Sequence, residues 1–165
     1  FVMYFFIHYF FHGGDVMDYE INSETCAILP VDIATSKIVE NSSDYVVNDS
    51  SLAVLEHSCE YFGSSYEGRL KATKSMIGSV YKAPIIVEES KELVFFPIRA
   101  RGDSPWLSLK NIEKYEKLDN KCLVTFKSGR KITLDVNYQT FENQVLRAAR
   151  LENIIHNRKN EQKKR

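Results

Sequence analysis

Short apolar runs, each bounded by polar turn residues, recur between residues 25 and 134 and constrain the fold more than any other feature of this chain. The most distinctive is CLVTF-KSGR-KITLD, in which two alternating segments flank Ser128 and Gly129. This pattern is typical of an antiparallel hairpin, because successive side chains of a strand point to opposite faces of the sheet. Similar runs predict further strands at TCAIL (25–29), KIV (37–39), DYVV (44–47), APIIVE (83–88), LVFFP (93–97) and WLSLKNI (106–112).

One long segment near the C-terminal end has the periodicity of a helix. It is predicted to run from Tyr138 to about Arg158, with Arg147 and Arg150 mostly outside its apolar stripe. That stripe consists of Phe141, Val145, Ala148, Ala149, Leu151 and Ile155. It either packs on the chain's own sheet or contributes partly to a dimer surface, and both interpretations fit the sequence.

The stretch LAVLEHSCEYFG (52–63) fits two structures. Its first four residues resemble a strand, whereas its leucines and Cys59 keep the spacing of a helix that ends at Gly63. Directly after it, Ser64 and Glu67 form the S-x-x-E pattern of a capping box. A short helix is therefore predicted to begin at this point.

These segments together predict a single α+β domain at residues 17–158. It comprises a mostly antiparallel β-sheet or roll, a short helix after the FGSS loop and a long C-terminal helix packed on the sheet. Residues 159–165 are expected to form a basic, disordered tail.

Residues 1–16 are interpreted as an appended or mis-assigned extension, with Met17 as the natural start. Their apolar run covers about a dozen residues, which is too short to span a bilayer. It also lacks the basic region and the small-residue cleavage site of a signal peptide. An anchor on a membrane surface is the alternative, but we expect no membrane partner.

Charge is distributed unevenly along a chain whose formal net charge is zero. Residues 15–60 contain ten acidic residues and one basic residue, whereas residues 61–165 contain 21 basic and 12 acidic residues, a net charge of +9. A basic segment of this size suggests a polyanionic partner. Lysines on the exposed faces of surface strands are the alternative explanation.

The sequence predicts neither an enzyme nor a cofactor or metal site. It contains no G-x-S-x-G elbow, no phosphate-binding Walker loop and no dinucleotide-binding fingerprint. The three cysteines have no C-x-x-C spacing, and His57 with Cys59 is too small a ligand set for zinc. Unpaired cysteines also fit a reducing cytoplasm.

The candidate binding segment is YFGSSYEGRLKATK (61–74), which combines glycine, serine and basic residues at a predicted helix start. A helix N-terminus presents free N–H groups and a positive dipole, and therefore favours anions. The candidate residues are Ser64, Ser65, Tyr66, Arg69, Lys71 and Lys74. A corner that serves only the fold is the competing interpretation, because Gly63 and Gly68 also satisfy turn geometry.

Several motifs, in order along the chain, resemble the ComK family of competence transcription factors. They are FGSSYEGR (62–69), KAPIIVE (82–88), LVFFP (93–97), WLS (106–108), TFKSGRKITL (125–134) and FENQVLRAARL (141–151). The resemblance extends from about Tyr19 to Leu151 and is strongest to staphylococcal forms.

This resemblance implies an activator of DNA-uptake genes that binds A/T-rich promoter boxes of double-stranded DNA, largely from the minor groove. Arg69 would then enter the groove, Lys71 and Lys74 would contact phosphates, and Arg147 and Arg150 would add contacts from the long helix. In this scheme Ser64, Ser65 and Tyr66 anchor the DNA backbone.

The family also implies self-association as dimers that form a tetramer on DNA, together with RNA polymerase as a partner. An adaptor that delivers the protein to a Clp protease is a further implied partner, although we expect the extended C-terminal segment used for this to be short or missing here. The implied location is the cytoplasm, in association with the nucleoid. The alternative function is a protein-interaction module whose basic half binds an acidic partner.

Overall fold

The computed structural model describes residues 19–100 and 103–164, and these contain nine strands and three α-helices. The proposed extension at residues 1–16 lies outside the described residues. The strands are β1 (Thr25–Asp32), β2 (Thr35–Glu40), β3 (Asp44–Val47), β4 (Ile85–Glu88), β5 (Leu93–Pro97), β6 (Trp106–Ser108), β7 (Ile112–Leu118), β8 (Lys121–Phe126) and β9 (Lys131–Leu134). The helices are α1 (Ser51–Tyr61), α2 (Tyr66–Ile77) and α3 (Tyr138–Lys163).

The strands form two antiparallel sheets. The larger has the order β3-β2-β1-β6-β5-β4, and the smaller has the order β7-β8-β9. The larger sheet thus consists of two three-stranded meanders that join where β1 pairs with β6. Helices α1 and α2 lie between the two meanders in sequence. The α+β class predicted from the sequence is confirmed.

The two faces of the larger sheet bury different sets of side chains, because alternate residues point to opposite faces. One face packs against α1 and α2, through Ile28, Ile38, Ile85, Phe95 and Trp106 of the sheet. The other face packs against the smaller sheet and α3, and includes Ala27, Val39, Ile86, Val94, Phe96 and Leu107. The molecule is therefore layered, with the larger sheet between two helices and a mixed layer.

The stripe of α3 packs on the chain's own sheet. Phe141, Ala148 and Leu151 are fully buried, and the ring of Phe141 lies edge-on to Phe96 at 5.7 Å and to Tyr115 at 5.1 Å. The helix continues to Lys163, beyond the end predicted near Arg158 and into the segment expected to be a disordered tail. Its sequence contains no glycine or proline after Asn137 that would end it earlier.

The structure decides between the two interpretations of LAVLEHSCEYFG, because residues 52–61 belong to helix α1 and not to a strand. One other element differs from the sequence-based expectation. The predicted strand WLSLKNI ends at Ser108 and continues as a 3-10 turn over Leu109–Asn111. Asn111 is buried there, and its Nδ2 donates to the carbonyls of Ser23 and Thr25. The chain thereby leaves the larger sheet and enters β7, a strand that was not predicted.

Arg130 connects the smaller sheet to the larger one. Its Nη1 lies 2.6 Å from Asp44 Oδ1 and donates to the carbonyls of Glu40 and Ser43. Hydrogen bonds between charged groups are stronger than neutral ones. This single guanidinium therefore fixes the end of the β8–β9 hairpin against β2 and β3.

Candidate nucleic-acid interface

The candidate segment folds as a tight connection between α1 and α2. Gly63 has φ +76°, and the N–H groups of Gly63 and Ser64 donate to the carbonyls of Glu60 and Cys59. These two bonds complete a Schellman motif at the end of α1, and glycine adopts the required left-handed conformation without strain. Only Ser65 then separates this motif from the first residue of α2.

Ser65, and not Ser64, caps helix α2. The Oγ of Ser65 accepts a hydrogen bond from the N–H of Gly68 at 3.0 Å. A side-chain Cβ at position 68 would lie 3.0 Å from that same oxygen, which explains the glycine in the first turn of the helix. The hydroxyl of Ser65 is therefore engaged in capping, whereas Ser64 acts through its backbone as the last residue of the Schellman motif.

Tyr66 faces the interior of the molecule. It packs against the cluster below α1 and α2, and its ring lies edge-on to Trp106 at 6.3 Å. Burial raises the pKa of its hydroxyl. The ring thus helps to fix α2 on the sheet.

Arg69 is paired with a carboxylate. Its Nη1 lies 3.0 Å from Glu89 Oε1, in the turn between β4 and β5, and 18% of its side chain is exposed. Its Nε is buried without a hydrogen-bond partner among the described residues. The guanidinium therefore connects α2 to the β4–β5 turn in this structure.

Lys71 and Lys74 differ from Arg69 because they are exposed. Neither takes part in an ion pair with any residue that the structure describes. They lie three positions apart on α2, which places them on the same side of the helix. Their charges are available to an external anion.

The two candidate arginines of α3 have different surroundings. Arg150 is exposed, whereas Arg147 donates to the carbonyl of Tyr81 at 2.9 Å and to Gln144 Oε1 at 2.7 Å. Gln144 is buried, and its Nε2 donates to the carbonyls of Lys82 and Pro97. Arg147 and Gln144 thus hold the loop that follows α2 in place.

This loop and α2 border a groove of about 500 Å³. We call it the α2 groove; it lies between α2, the Ser79–Ala83 loop and the loop that follows β5. Trp106, Tyr66 and Leu70 contribute to its apolar lining, and Lys74, Lys82 and Arg99 to its polar lining.

Sequence reasoning did not identify the residues of the two loops. Lys82 begins the KAPIIVE motif and Arg99 lies two positions before Arg101, but neither residue, nor Tyr81, lies in the glycine- and serine-containing basic segment that indicated a site. Lys82 and Lys74 line the same groove, and the carbonyl of Lys82 accepts a hydrogen bond from Gln144, 62 positions later. That contact depends on the fold and leaves no local signal.

The described residues contain no group of three or more His, Cys, Asp or Glu side chains placed to hold a metal ion. His57 and Cys59 lie on different sides of α1, with Cys59 buried and His57 within 3.4 Å of Asp49. Within the same described ranges, no helix has both the length and the apolar character needed to cross a membrane.

Comparisons with known proteins connect this fold to one family. No solved structure matches the chain. The competence transcription factor of Bacillus subtilis (strain 168) is 35% identical over 137 residues, which cover 79% of this chain and 71% of that protein. The family model described as ComK protein matches residues 16–160. With a match over most of its length, the chain belongs to the ComK family.

Proposed function

We propose that this protein is a competence transcription factor that binds promoter DNA and activates DNA-uptake genes. The observation that carries this proposal is the 35% identity, over 79% of the chain, to a protein that bears that name. The exposed lysines of α2 support it, because cations that are not neutralised within the molecule can neutralise phosphates.

The preferred target in this proposal is A/T-rich duplex, contacted largely from the minor groove. That groove is narrow and strongly negative in A/T-rich DNA, so it attracts arginine and lysine side chains. Lys71 and Lys74 contact phosphates, and Ser64, Ser65 and Tyr66 support the helix start that faces the DNA backbone. Arg150 is exposed and adds a contact from α3, while Arg147 acts through the loop that it holds.

Arg69 is the residue proposed to enter the minor groove of the DNA. Because it is bound to Glu89 in the structure, entry requires that the guanidinium exchange a carboxylate for the DNA. The exchange replaces one anionic partner with another, so its net free energy is small compared with the loss of a partner altogether.

Self-association and contact with RNA polymerase are part of the same proposal. Dimers that assemble into a tetramer on one promoter would present several α2 helices to paired boxes. Control by an adaptor that delivers the protein to a Clp protease is also part of this proposal. The proposed site of action is the cytoplasm, at the nucleoid. Sedimentation of the protein with and without a promoter duplex tests the assembly.

Fluorescence anisotropy with A/T-rich and G/C-rich duplexes of equal length tests the proposal, with polyglutamate as competitor. We expect tighter binding to the A/T-rich duplex and weak competition by polyglutamate. Lys71→Ala should weaken binding to both duplexes and lower the slope of log affinity against log salt by about 0.9. Equal binding to both duplexes with strong competition by polyglutamate would instead favour an acidic protein partner.

A further inference from the structure

We infer that the α2 groove seats the sugar–phosphate strand of the bound duplex. This inference rests on the proposed DNA binding and deepens it, because it adds Lys82, Arg99 and Tyr81 to the contacts on α2. It also specifies which part of the DNA lies against which part of the protein.

The charge of the groove fits a nucleic-acid strand. Lys74, Lys82 and Arg99 line it, and no Asp or Glu is among the described residues that line it. Within residues 19–100 and 103–164, none of the three cations takes part in an ion pair. The groove therefore has uncompensated positive charge at its border.

Hydrogen bonds hold the backbone at two of these cations, Lys82 and Arg99. Lys82 has φ +56°, a left-handed conformation that is unfavourable for a lysine, and Gln144 Nε2 holds its carbonyl at 2.9 Å. In the other loop, the buried Oγ of Ser104 accepts from the N–H groups of Ile98 and Arg99 at 3.0 and 2.8 Å. Strained or tightly bonded loops of this kind are common where a ligand must be held with little loss of entropy.

The groove also has an apolar part, which a nucleic-acid strand can contact through its sugars and a simple anion cannot. Leu70, Pro97 and Trp106 line it, and Tyr81 is 77% exposed beside Lys82. An exposed aromatic ring next to cations can contact a deoxyribose while the cations bind the neighbouring phosphates. Lys74 belongs both to this groove and to the exposed side of α2, so one strand can follow the protein from Lys71 into the groove.

The test compares two double variants that lose the same charge. Lys82→Gln with Arg99→Gln alters the groove, and Lys121→Gln with Lys131→Gln alters exposed lysines of the smaller sheet, on the other side of the larger sheet. Anisotropy with the A/T-rich duplex at 0.1 M salt should show an affinity that falls by about eightfold for each groove charge removed. The slope of log affinity against log salt should fall by about 0.9 for each. The control pair should change the affinity by less than about twofold, because distant charges are screened.

Tyr81→Ala separates the ring contact from the charges. It should weaken binding by about fivefold and leave the salt slope unchanged, since it removes a contact with the sugar–phosphate strand and no charge. Mass spectrometry of lysine acetylation on the unmodified protein needs no substitution. The duplex should protect Lys82 and leave Lys121 reactive.

The inference is overturned if the wild-type protein binds the duplex but the groove variant matches the control and Lys82 stays reactive. In that case DNA binding through α2 stands and only the groove is excluded. Protection of Lys82 by polyglutamate and not by DNA would assign the groove to an acidic peptide and also overturn the inference. A wild-type protein that binds no duplex overturns both the inference and the proposed function.

Discussion

Replacement of Glu89 with glutamine is expected to strengthen DNA binding. Glu89 binds Arg69, the residue that we propose to enter the minor groove of the DNA. Arg69 Nη1 lies 3.0 Å from Glu89 Oε1. The carboxylate and the DNA compete for the same guanidinium, so the free protein must break this ion pair before Arg69 can reach the duplex. The substitution leaves the backbone carbonyl of Glu89 in place, and with it the contact from Lys159 Nζ.

The size of the effect depends on how well water screens the pair. The Glu89 side chain is 54% exposed and the Arg69 side chain 18%, so the pair lies between an exposed and a buried ion pair. Exposed pairs contribute about 0.2–1 kcal/mol, and partial burial of the guanidinium places this pair at the upper end of that range. A free energy of about 1 kcal/mol corresponds to about fivefold in affinity.

Glu92→Gln is the matched control for this experiment. Glu92 lies in the same turn and loses the same charge, but its partner is His156 of α3, at 3.4 Å, and not a residue of α2. Both variants lose one negative charge near the DNA and share any general electrostatic gain. The difference between them in anisotropy titrations therefore measures the release of Arg69.

We expect Glu89→Gln to bind the duplex about fivefold more tightly than wild type. The affinity of Glu92→Gln should differ from that of wild type by less than about twofold. Equal affinities for the two variants would contradict the reasoning and would mean that Arg69 keeps its place beside residue 89 when DNA binds. Arg69 would then be a structural residue of the α2 corner. Circular dichroism and urea unfolding check that both variants are folded.

Three further predictions concern stability and reactivity. Phe141→Ala should lower the free energy of unfolding by about 3–5 kcal/mol, because removal of a fully buried ring leaves a cavity. Leu146→Ala, on the exposed side of α3, should change the free energy of unfolding little. A loss below about 1 kcal/mol for Phe141→Ala in urea titrations would place Phe141 outside the core. The hydrogen bond from Arg130 lowers the pKa of Asp44 below its usual 3.8, so this carboxylate stabilises the fold above that pH and loses its effect as the pH falls through the lowered value. Asp44→Asn should therefore destabilise the protein at pH 7, and this loss of stability should shrink as the pH falls below 3.8; a loss that stays constant as the pH falls would refute the assignment. Burial raises the pKa of all three cysteine thiols to about 11, so a thiol reagent at pH 8 should react slowly with the folded protein and rapidly in urea; rapid labelling without urea would show that a thiol is accessible.

Periodicity in the sequence predicted most of the elements because most of them bury one regular face. The β8–β9 hairpin and α3 are examples, with alternate and helical spacing of their apolar residues. β7 was not predicted because Ile112, Tyr115 and Leu118 are spaced by three, which does not match the alternation of a strand. That strand is specified by its pairing with β8.

The sequence predicted where the candidate site lies, but not what each of its residues contacts. Two adjacent serines before a helix indicated a cap, but the Schellman bond to Ser64 decides that Ser65 is the residue that caps. The roles of Arg69 and Arg147 depend on Glu89 and Tyr81, which lie 20 and 66 positions away in the sequence. Contacts over such distances follow from the packing of the sheets and have no local pattern.

The layered arrangement of the cores has a consequence for synthesis on the ribosome. The cluster on the α1 and α2 face ends with Trp106, so it can form as soon as that residue has emerged. The opposite face, which includes Phe96 and Leu107, needs α3 residues as late as Ile155. At about 5–20 residues per second, translation from residue 107 to residue 155 takes roughly 2–10 s. During that interval the apolar side chains of the opposite face have no α3 to cover them, and chaperones or other nascent chains can bind them.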